Sequence, residues 1–328
     1  MSGSQASRFV SDQGADDVVI PFAVTPLDVR GRLVRLGPAL DILLANHGYP
    51  EEIARAVGEA AALTALLGSS LKFDGRFQLQ TRTDGVLDML VVDFDAPDRL
   101  RAFARFDGEK LEAARVSGDA APAALFGKGH LAFTIDQGPD MSRYQGVVAL
   151  EGQGLEAAAH EYFLRSEQIP TLVRLAVGEI MSADSGGRWR AGGLIVQFLP
   201  DSPDRRRMAD LPPGDAPEGA EVEAFREDDA WSEARALAAT VEDHELVDPS
   251  LSSERLLYRL FHERGVTVFD PSPLRHACRC SRDGIQTMLR RFTGQERADM
   301  IGEDGRIGVT CEFCGVKREF EPAEVAGD

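Results

Sequence analysis

The amino-acid sequence predicts an α+β protein: an N-terminal domain of β-hairpins and sheet covered by helices, an acidic and partly helical linker, and a small C-terminal zinc-binding unit. Three observations carry this. Apolar residues pass from helical spacing to alternation that comes in hairpin pairs, without regular strand–helix repetition. The composition turns acidic and proline-rich at Pro200, and all four cysteines fall between Cys278 and Cys314. A chain of 328 residues is long enough to bury a sizeable core and to carry two or three units. The expected divisions are a disordered tail over 1–20, a core domain over 21–200, a linker over 201–251 and a zinc-binding unit over 252–328.

The elements follow in order. Met1 to Asp17 is polar and acidic, without the basic start, apolar stretch and cleavage site of a secretory signal, and reads as a tail. From about Asp28 to Leu71 the pattern is helical, with Ile53, Val57, Ala60, Thr64, Leu67 and Leu71 forming one stripe. Asn46-His47-Gly48 ends one helix and Pro50 opens the next. Phe77 and Leu79 then alternate with polar neighbours, Thr83-Asp84-Gly85 offers a turn, and Val86 to Phe94 returns as a strand. Leu131, Phe133 and Ile135 begin a second hairpin that turns at Gln137-Gly138-Pro139-Asp140 and returns over Tyr144 to Leu150. Gln153 to Ser166 reads as a helix, and Thr171 to Val177 and Ala191 to Leu199 as strands.

Between Asp201 and Ser250 there are fifteen Asp or Glu against five Arg and no Lys, with Pro203, Pro212, Pro213 and Pro217 breaking any early helix. The second half, Asp228 to Leu246, fits a helix with Trp231, Ala234, Ala238 and Val241 on one face, dependent on neighbours for stability. A last unit opens at Ser252 with a helix carrying Leu256, Leu257, Leu260 and Phe261, followed by a short strand over Val266 to Phe269.

A net charge of -18 repels phosphate backbones and anionic lipid, so nucleic acid and membranes are not expected partners. The compact basic cluster Arg205 to Arg207 sits among acidic residues and reads as a solvated loop. No apolar run approaches the roughly 20 residues that span a bilayer; Ala60 to Leu67 looks like an amphipathic helix face.

The cysteines are the most informative feature. Cys278-Arg279-Cys280 is followed, after thirty residues, by Cys311-Glu312-Phe313-Cys314-Gly315. A secreted disulfide framework would spread its cysteines over the fold, so their clustering points to a reducing cytoplasm. Four thiolates suit one tetrahedral zinc ion, each close pair spanning one edge. Gly315 permits a tight turn after the second pair. His276 and His262 are alternative ligands, but four sulfurs already fill the shell. Cysteines this close are also placed for local disulfides once a metal leaves, and the thiolate form that zinc maintains is the one that attacks peroxide or hypochlorous acid. Zinc loss would unfold the tail and release the weak linker helix resting on it.

Catalytic signals are absent. Ser166-Glu167-Gln168 and Asp184-Ser185-Gly186-Gly187 hold nucleophile types without an elbow, phosphate loop or paired-histidine motif, and the chain is read as a non-enzyme. Ala191-Gly192-Gly193 reads as a packing device at a buried strand, and Trp189 and Trp231 as core or docking anchors.

The cysteine segment, preceded by Val266-Thr267-Val268-Phe269-Asp270-Pro271, resembles the redox-regulated chaperones of the heat shock protein 33 family. Leu71-Lys72-Phe73-Asp74-Gly75, Arg143-Tyr144-Gln145-Gly146-Val147-Val148, Tyr162-Phe163, Ser166-Glu167-Gln168-Ile169-Pro170-Thr171 and Ala191-Gly192-Gly193 extend the likeness from about Val29 to Phe320. The resemblance implies an ATP-independent holdase, inactive while reduced and zinc-bound, that holds unfolding client proteins under oxidative stress and acts as a homodimer. It implies disulfides Cys278–Cys280 and Cys311–Cys314 and an unfolding linker. The acidic stretch near Asp201 to Asp229 looks longer than the family's usual linker.

Two rival readings remain. A structural zinc-ribbon adaptor would bind without redox switching, although nine Lys or Arg against ten Asp or Glu from Pro271 to Asp328 give it no phosphate-binding footprint. An oxidoreductase or hydrolase in the first 200 residues would keep its turnover after deletion of everything beyond Pro200.

Overall fold

The computed structural model describes residues 16–71, 74–118, 121–138, 141–182, 186–199 and 228–326. The start of the tail, the Arg205 to Arg207 cluster, the acidic first half of the linker, Pro139-Asp140 of one expected turn and Asp184-Ser185 lie outside the described residues.

The fold is α+β, as expected, but it opens earlier than the sequence suggests. Strand β1 (Val18–Val24) begins inside the stretch read as tail, and β2 (Val29–Leu36) occupies the start of the stretch read as helical. The two pair antiparallel along their whole length, from Val18↔Arg35 to Val24↔Val29. Asp28, in the left-handed region at φ 51°, closes the turn between them. Two helices follow as expected, α1 (Pro38–Ala45) and α2 (Glu51–Gly68). Strands β3 (Arg76–Thr83), β4 (Leu87–Asp95) and β5 (Arg99–Phe106) then form a meander, of which the sequence reading found the first hairpin and missed β5. Its core-facing positions after Leu100 are the small Ala102 and Ala104, while the large Phe103 lies on the other face, so its apolar alternation is weak.

Helices α3 (Gly108–Ser117) and α4 (Pro122–Leu125) lead to the second expected hairpin, β6 (Lys128–Asp136) and β7 (Tyr144–Glu151). Helix α5 (Leu155–Tyr162) and the long pair β8 (Thr171–Ser182) and β9 (Gly186–Phe198) complete this part. The linker and C-terminal elements are α6 (Asp229–Ala239), α7 (Asp243–Val247), α8 (Ser253–Phe261), the two-residue strands β10 (Thr267–Val268), β11 (Ser272–Pro273) and β12 (Arg275–His276), α9 (Arg282–Leu289), α10 (Gly294–Asp299), and the hairpin β13 (Ile307–Thr310) and β14 (Lys317–Phe320). No helix among the described residues is long and apolar enough to cross a membrane.

Two large sheets result. One runs β10-β1-β2-β9-β8, with β11 also on β1; the other runs β12-β5-β4-β3-β6-β7. Helix α2 packs against strands of both. From Ile53 to Gly68 nearly every residue is buried, including Ala54, Ala56, Ala61, Ala62 and Ala65, which the one-face reading left to solvent. Small side chains allow this, since two sheets can close on opposite sides of a helix only when its girth is small.

The outer face of the first sheet is covered by the linker helices. Phe22, Leu33, Leu194, Val196 and Phe198 form one buried cluster with Trp231, Ala234, Ala238 and Val241 of the predicted stripe and with Leu246, Leu256, Leu257, Leu260 and Phe261. The single helix expected over Asp228 to Leu246 is broken near Val241, where Glu242 and Glu245 form a capping box that restarts the chain as α7. Helix α8, read as the start of the C-terminal unit at Ser252, packs with α6 on this sheet, where Leu256, Leu257, Leu260 and Phe261 join the same buried cluster.

Helix α7 sits in a polar socket. Buried Arg35 donates from Nη1 to the Asp248 carbonyl (2.6 Å) and from Nη2 to the Glu245 carbonyl (2.8 Å), and Arg190 Nε donates to the Val247 carbonyl (2.7 Å). Asp16 forms an ion pair with Arg190. These arginines satisfy carbonyls that a helix C-terminus leaves without internal partners and complement the negative end of its dipole. Gly192 forms the floor: a methyl group there would overlap the Leu246 carbonyl. Gly192→Ala is therefore expected to lift α7 off the sheet, at a cost of about 1–3 kcal/mol to its docked state. Hydrogen exchange should rise over Asp243–Val247 while β3 and β4 stay protected; unchanged exchange in α7 would show that the close fit at Gly192 does not hold it.

Candidate metal centre

After α8 the chain crosses the molecule as three short strands. β10 and β11 add to β1, with Phe22↔Val268 and Val19↔Ser272 in register. β12 then pairs parallel with β5, Arg275↔Arg99 and His276↔Leu100. Arg275 N–H donates to the Asp98 carbonyl (2.8 Å) and Ala277 N–H to the Leu100 carbonyl (3.0 Å). Cys278 thus lies two residues beyond a strand hydrogen-bonded to the N-terminal sheet. Cys280 precedes α9, which begins with a Ser281 cap. The second pair lies in the loop joining β13 to β14, where Cys311 N–H donates to the Val316 carbonyl (3.1 Å), Gly315 N–H to the Cys311 carbonyl (2.8 Å), and Gly315 adopts φ 65°. A side chain on Gly315 would also meet Asn46, which follows α1, at 2.8 Å.

All four predicted residues are brought together. The Sγ atoms of Cys278, Cys280, Cys311 and Cys314 lie within 4.8 Å of one another, a grouping able to hold a metal ion. The cross pairs are 3.7 Å (Cys278 to Cys311) and 3.4 Å (Cys280 to Cys314), and all four are free thiols. A tetrahedron with metal–sulfur bonds of about 2.3 Å has edges of about 3.8 Å, so this cage has the size that a zinc ion requires.

Positive groups suit the cage to thiolates. Arg318 Nη1 reaches Cys280 Sγ at 3.3 Å, and Arg101 hydrogen-bonds Cys278. Burial opposes ionisation of Cys278, but the Cys280 backbone N–H and the neighbouring thiols outweigh it and bring this thiol down to about 7. Burial pushes Cys280 up, and pushes Cys314 up to about 12 against the Val316 backbone N–H. Of these three thiols, Cys278 ionises most readily.

The alternative ligands stand aside. His262 Nδ1 faces the Tyr258 carbonyl of its own helix (3.2 Å). His276 Nδ1 is buried without a hydrogen-bond partner, and burial, with His47 nearby, lowers its pKa.

Sequence reasoning missed the residues that dock the cage. Arg279, between the first two cysteines, reaches Asp93 Oδ2 (3.2 Å) and Asp95 Oδ2 (3.1 Å) of β4. Asp93 is fully buried and also receives Arg101 Nε (2.8 Å) and Gln78 Nε2 (2.7 Å). Phe313, between the second two, lies under the Arg101 guanidinium (4.0 Å) and near Phe103, while its carbonyl faces His47 Nε2 (3.2 Å). One signal was available: Val91-Val92-Asp93-Phe94 puts a charge into an apolar strand, which requires a buried partner.

Comparison with known proteins agrees with this architecture. The family model described as Hsp33 protein matches residues 17–321. The 33 kDa chaperonin of Caulobacter vibrioides is 45% identical over 309 residues, covering 94% of this chain and 95% of that protein. That of Shewanella sediminis is 34% identical over 298 residues, with 91% and 90% covered. In fold, the chain resembles the crystal structure of the 33 kDa chaperonin (heat shock protein 33 homolog) of Thermotoga maritima, with a TM-score of 0.70 at 19% identity, covering 94% of this chain and 96% of that one. With the family model matching residues 17–321 and relatives of 45% and 34% identity matched over 90% or more of both chains, the chain belongs to the Hsp33 family.

Proposed function

We propose that this chaperone is a redox-regulated, ATP-independent holdase of the reducing cytoplasm, inactive while Cys278, Cys280, Cys311 and Cys314 hold one zinc ion and active once they are oxidised. The observation that carries this reading is the continuity of the covering elements. The helices over the apolar face of the first sheet run through β10, β11 and β12 directly into Cys278, so the state of the cage bears on the cover.

Zinc bound here would supply the cross-link that keeps the C-terminal unit folded. Oxidation needs a peroxide or hypochlorous acid from outside. Each pair of sulfurs gives two electrons to one hydrogen peroxide: the O–O bond breaks, a sulfur–sulfur bond forms, and two waters leave with two protons taken from the thiols, or from solvent where the sulfurs are already thiolates. Joining Cys278 to Cys280 and Cys311 to Cys314 takes all four donors from the metal. The C-terminal unit then loosens, α6 to α8 lose their tether, and the apolar face becomes available to unfolding clients. The division into core domain, linker and redox unit, and a homodimer as the active form, belong to the same reading.

The test follows zinc with a colorimetric chelator during peroxide treatment at mild heat, while light scattering of a denaturing client is recorded in the same sample. About one zinc per chain should leave as protection appears. Zinc loss without protection would leave a structural ribbon.

A further inference from the structure

We propose that the edge of β5 exposed when β12 withdraws is a client-binding site, which takes an extended polypeptide segment as an added parallel strand, with an aliphatic side chain in the pocket that Leu274 occupies and a basic side chain facing Asp93 and Asp95. This rests on the holdase reading and names where and how a client is held.

The edge of β5 is closed in two ways. Near its end, the domain's own Tyr49 seals it: the Ala104 N–H donates to Tyr49 Oη (2.9 Å) and Tyr49 Oη donates to the Ala104 carbonyl (3.2 Å). At its start the Asp98 and Leu100 carbonyls are satisfied by N–H groups of Arg275 and Ala277, which belong to the segment entering the cage. The seal at Ala104 stays with the domain, whereas the strand at Asp98–Leu100 leaves with the C-terminal unit. A bare edge with open backbone groups is a template for any extended chain.

Side-chain pockets accompany the edge. Leu274 is 5% exposed and packs into the main core, although it lies only four residues from Cys278. Five residues beyond Leu274, Arg279 lies against two buried carboxylates. Withdrawal of the segment therefore leaves an aliphatic pocket, a row of backbone acceptors and an acidic socket in line. Main-chain bonds supply affinity independent of sequence, as a holdase needs, and the two pockets supply a bias toward an aliphatic residue followed five positions later by Lys or Arg. Residues 274–279 are the chain's own occupant of this site.

The probe is a fluorescent nonapeptide copying Pro271 to Arg279, with Cys278→Ser to prevent mixed disulfides, added to the full-length chain. It should bind the oxidised, zinc-free chain and not the reduced, zinc-loaded one, and should compete with a denaturing client. Leu274→Asp in the peptide should weaken binding about tenfold or more, by loss of one buried leucine, and Arg279→Glu should weaken it as well. Hydrogen exchange over Arg99–Phe106 should rise on oxidation and fall again with peptide or client. If the oxidised chain suppresses aggregation while the peptide neither binds nor competes, or if β5 exchange is the same in both states, the β5 site is overturned and the holdase reading stands. If the oxidised chain suppresses no aggregation, both fall.

Discussion

Cys314→Ser is expected to leave the C-terminal unit without metal and without a fold. Cys314 is the most buried of the four cysteines at 6% exposure, and a serine hydroxyl is a poor donor to a site that binds its metal through soft sulfur. The unit has little else to hold it. Its own core is Leu289, Ile307, Phe320 and Val325, with Ile285 and Val309 partly buried. Four side chains contribute about 1.5–3 kcal/mol each, against about 1–2 kcal/mol for every residue whose backbone is ordered. A structural zinc contributes about 10–16 kcal/mol in zinc-finger peptides, as much as or more than the roughly 6–12 kcal/mol of these four side chains together. Metal content should fall from about one per chain toward zero, and protease should cut between Cys278 and Ala326 while β3 to β7 survive. Full metal occupancy with native protection would refute the four-thiolate site.

Arg101→Met should destabilise the N-terminal domain by about 3 kcal/mol, because it leaves the fully buried Asp93 carboxylate with its weaker partners. Gln78 remains at 2.7 Å, Arg279 at 3.2 Å and Arg76 at 4.0 Å, so the loss is partial rather than complete. The substitution also removes the cation from the Phe313 ring and from Cys278, so the cage should undock at milder oxidation. A fall of roughly 6–12 °C in Tm is expected for a domain of this size. Adding Asp93→Asn should recover much of it, since removing both charges leaves no orphan. A single variant that melts within a degree of the parent would show that Asp93 does not depend on Arg101.

The hairpins β3–β4 and β6–β7 were legible because Phe77 and Leu79, and Leu131, Phe133 and Ile135, alternate beside turn residues. Trp231, Ala234, Ala238 and Val241 marked a helix face that does pack. Strand β1 was hidden by the short run Val18-Val-Ile-Pro-Phe-Ala-Val24 behind an acidic tail, and β5 by its small core-facing Ala102 and Ala104 beside an outward Phe103. Two arginines of β5 face the docked segment: Arg101 holds Asp93 and Phe313, and Arg99 is the register partner of Arg275.

By itself the sequence determined the cage, since the donor types and their close pairs are covalent facts, and it determined the two hairpins and the apolar face of the linker segment, though not its break near Val241, since periodicity is local. Only the tertiary structure decided that α2 is buried between two sheets, that α8 belongs with the linker helices, and that Arg279, Phe313 and Leu274 bind the cage to β4 and β5. These are choices of partner between residues as far apart as Asp93 and Arg279. Local propensity carries no information about which distant surface will close over a side chain; packing, charge compensation and the open edge of β5 settle that together once the chain has folded.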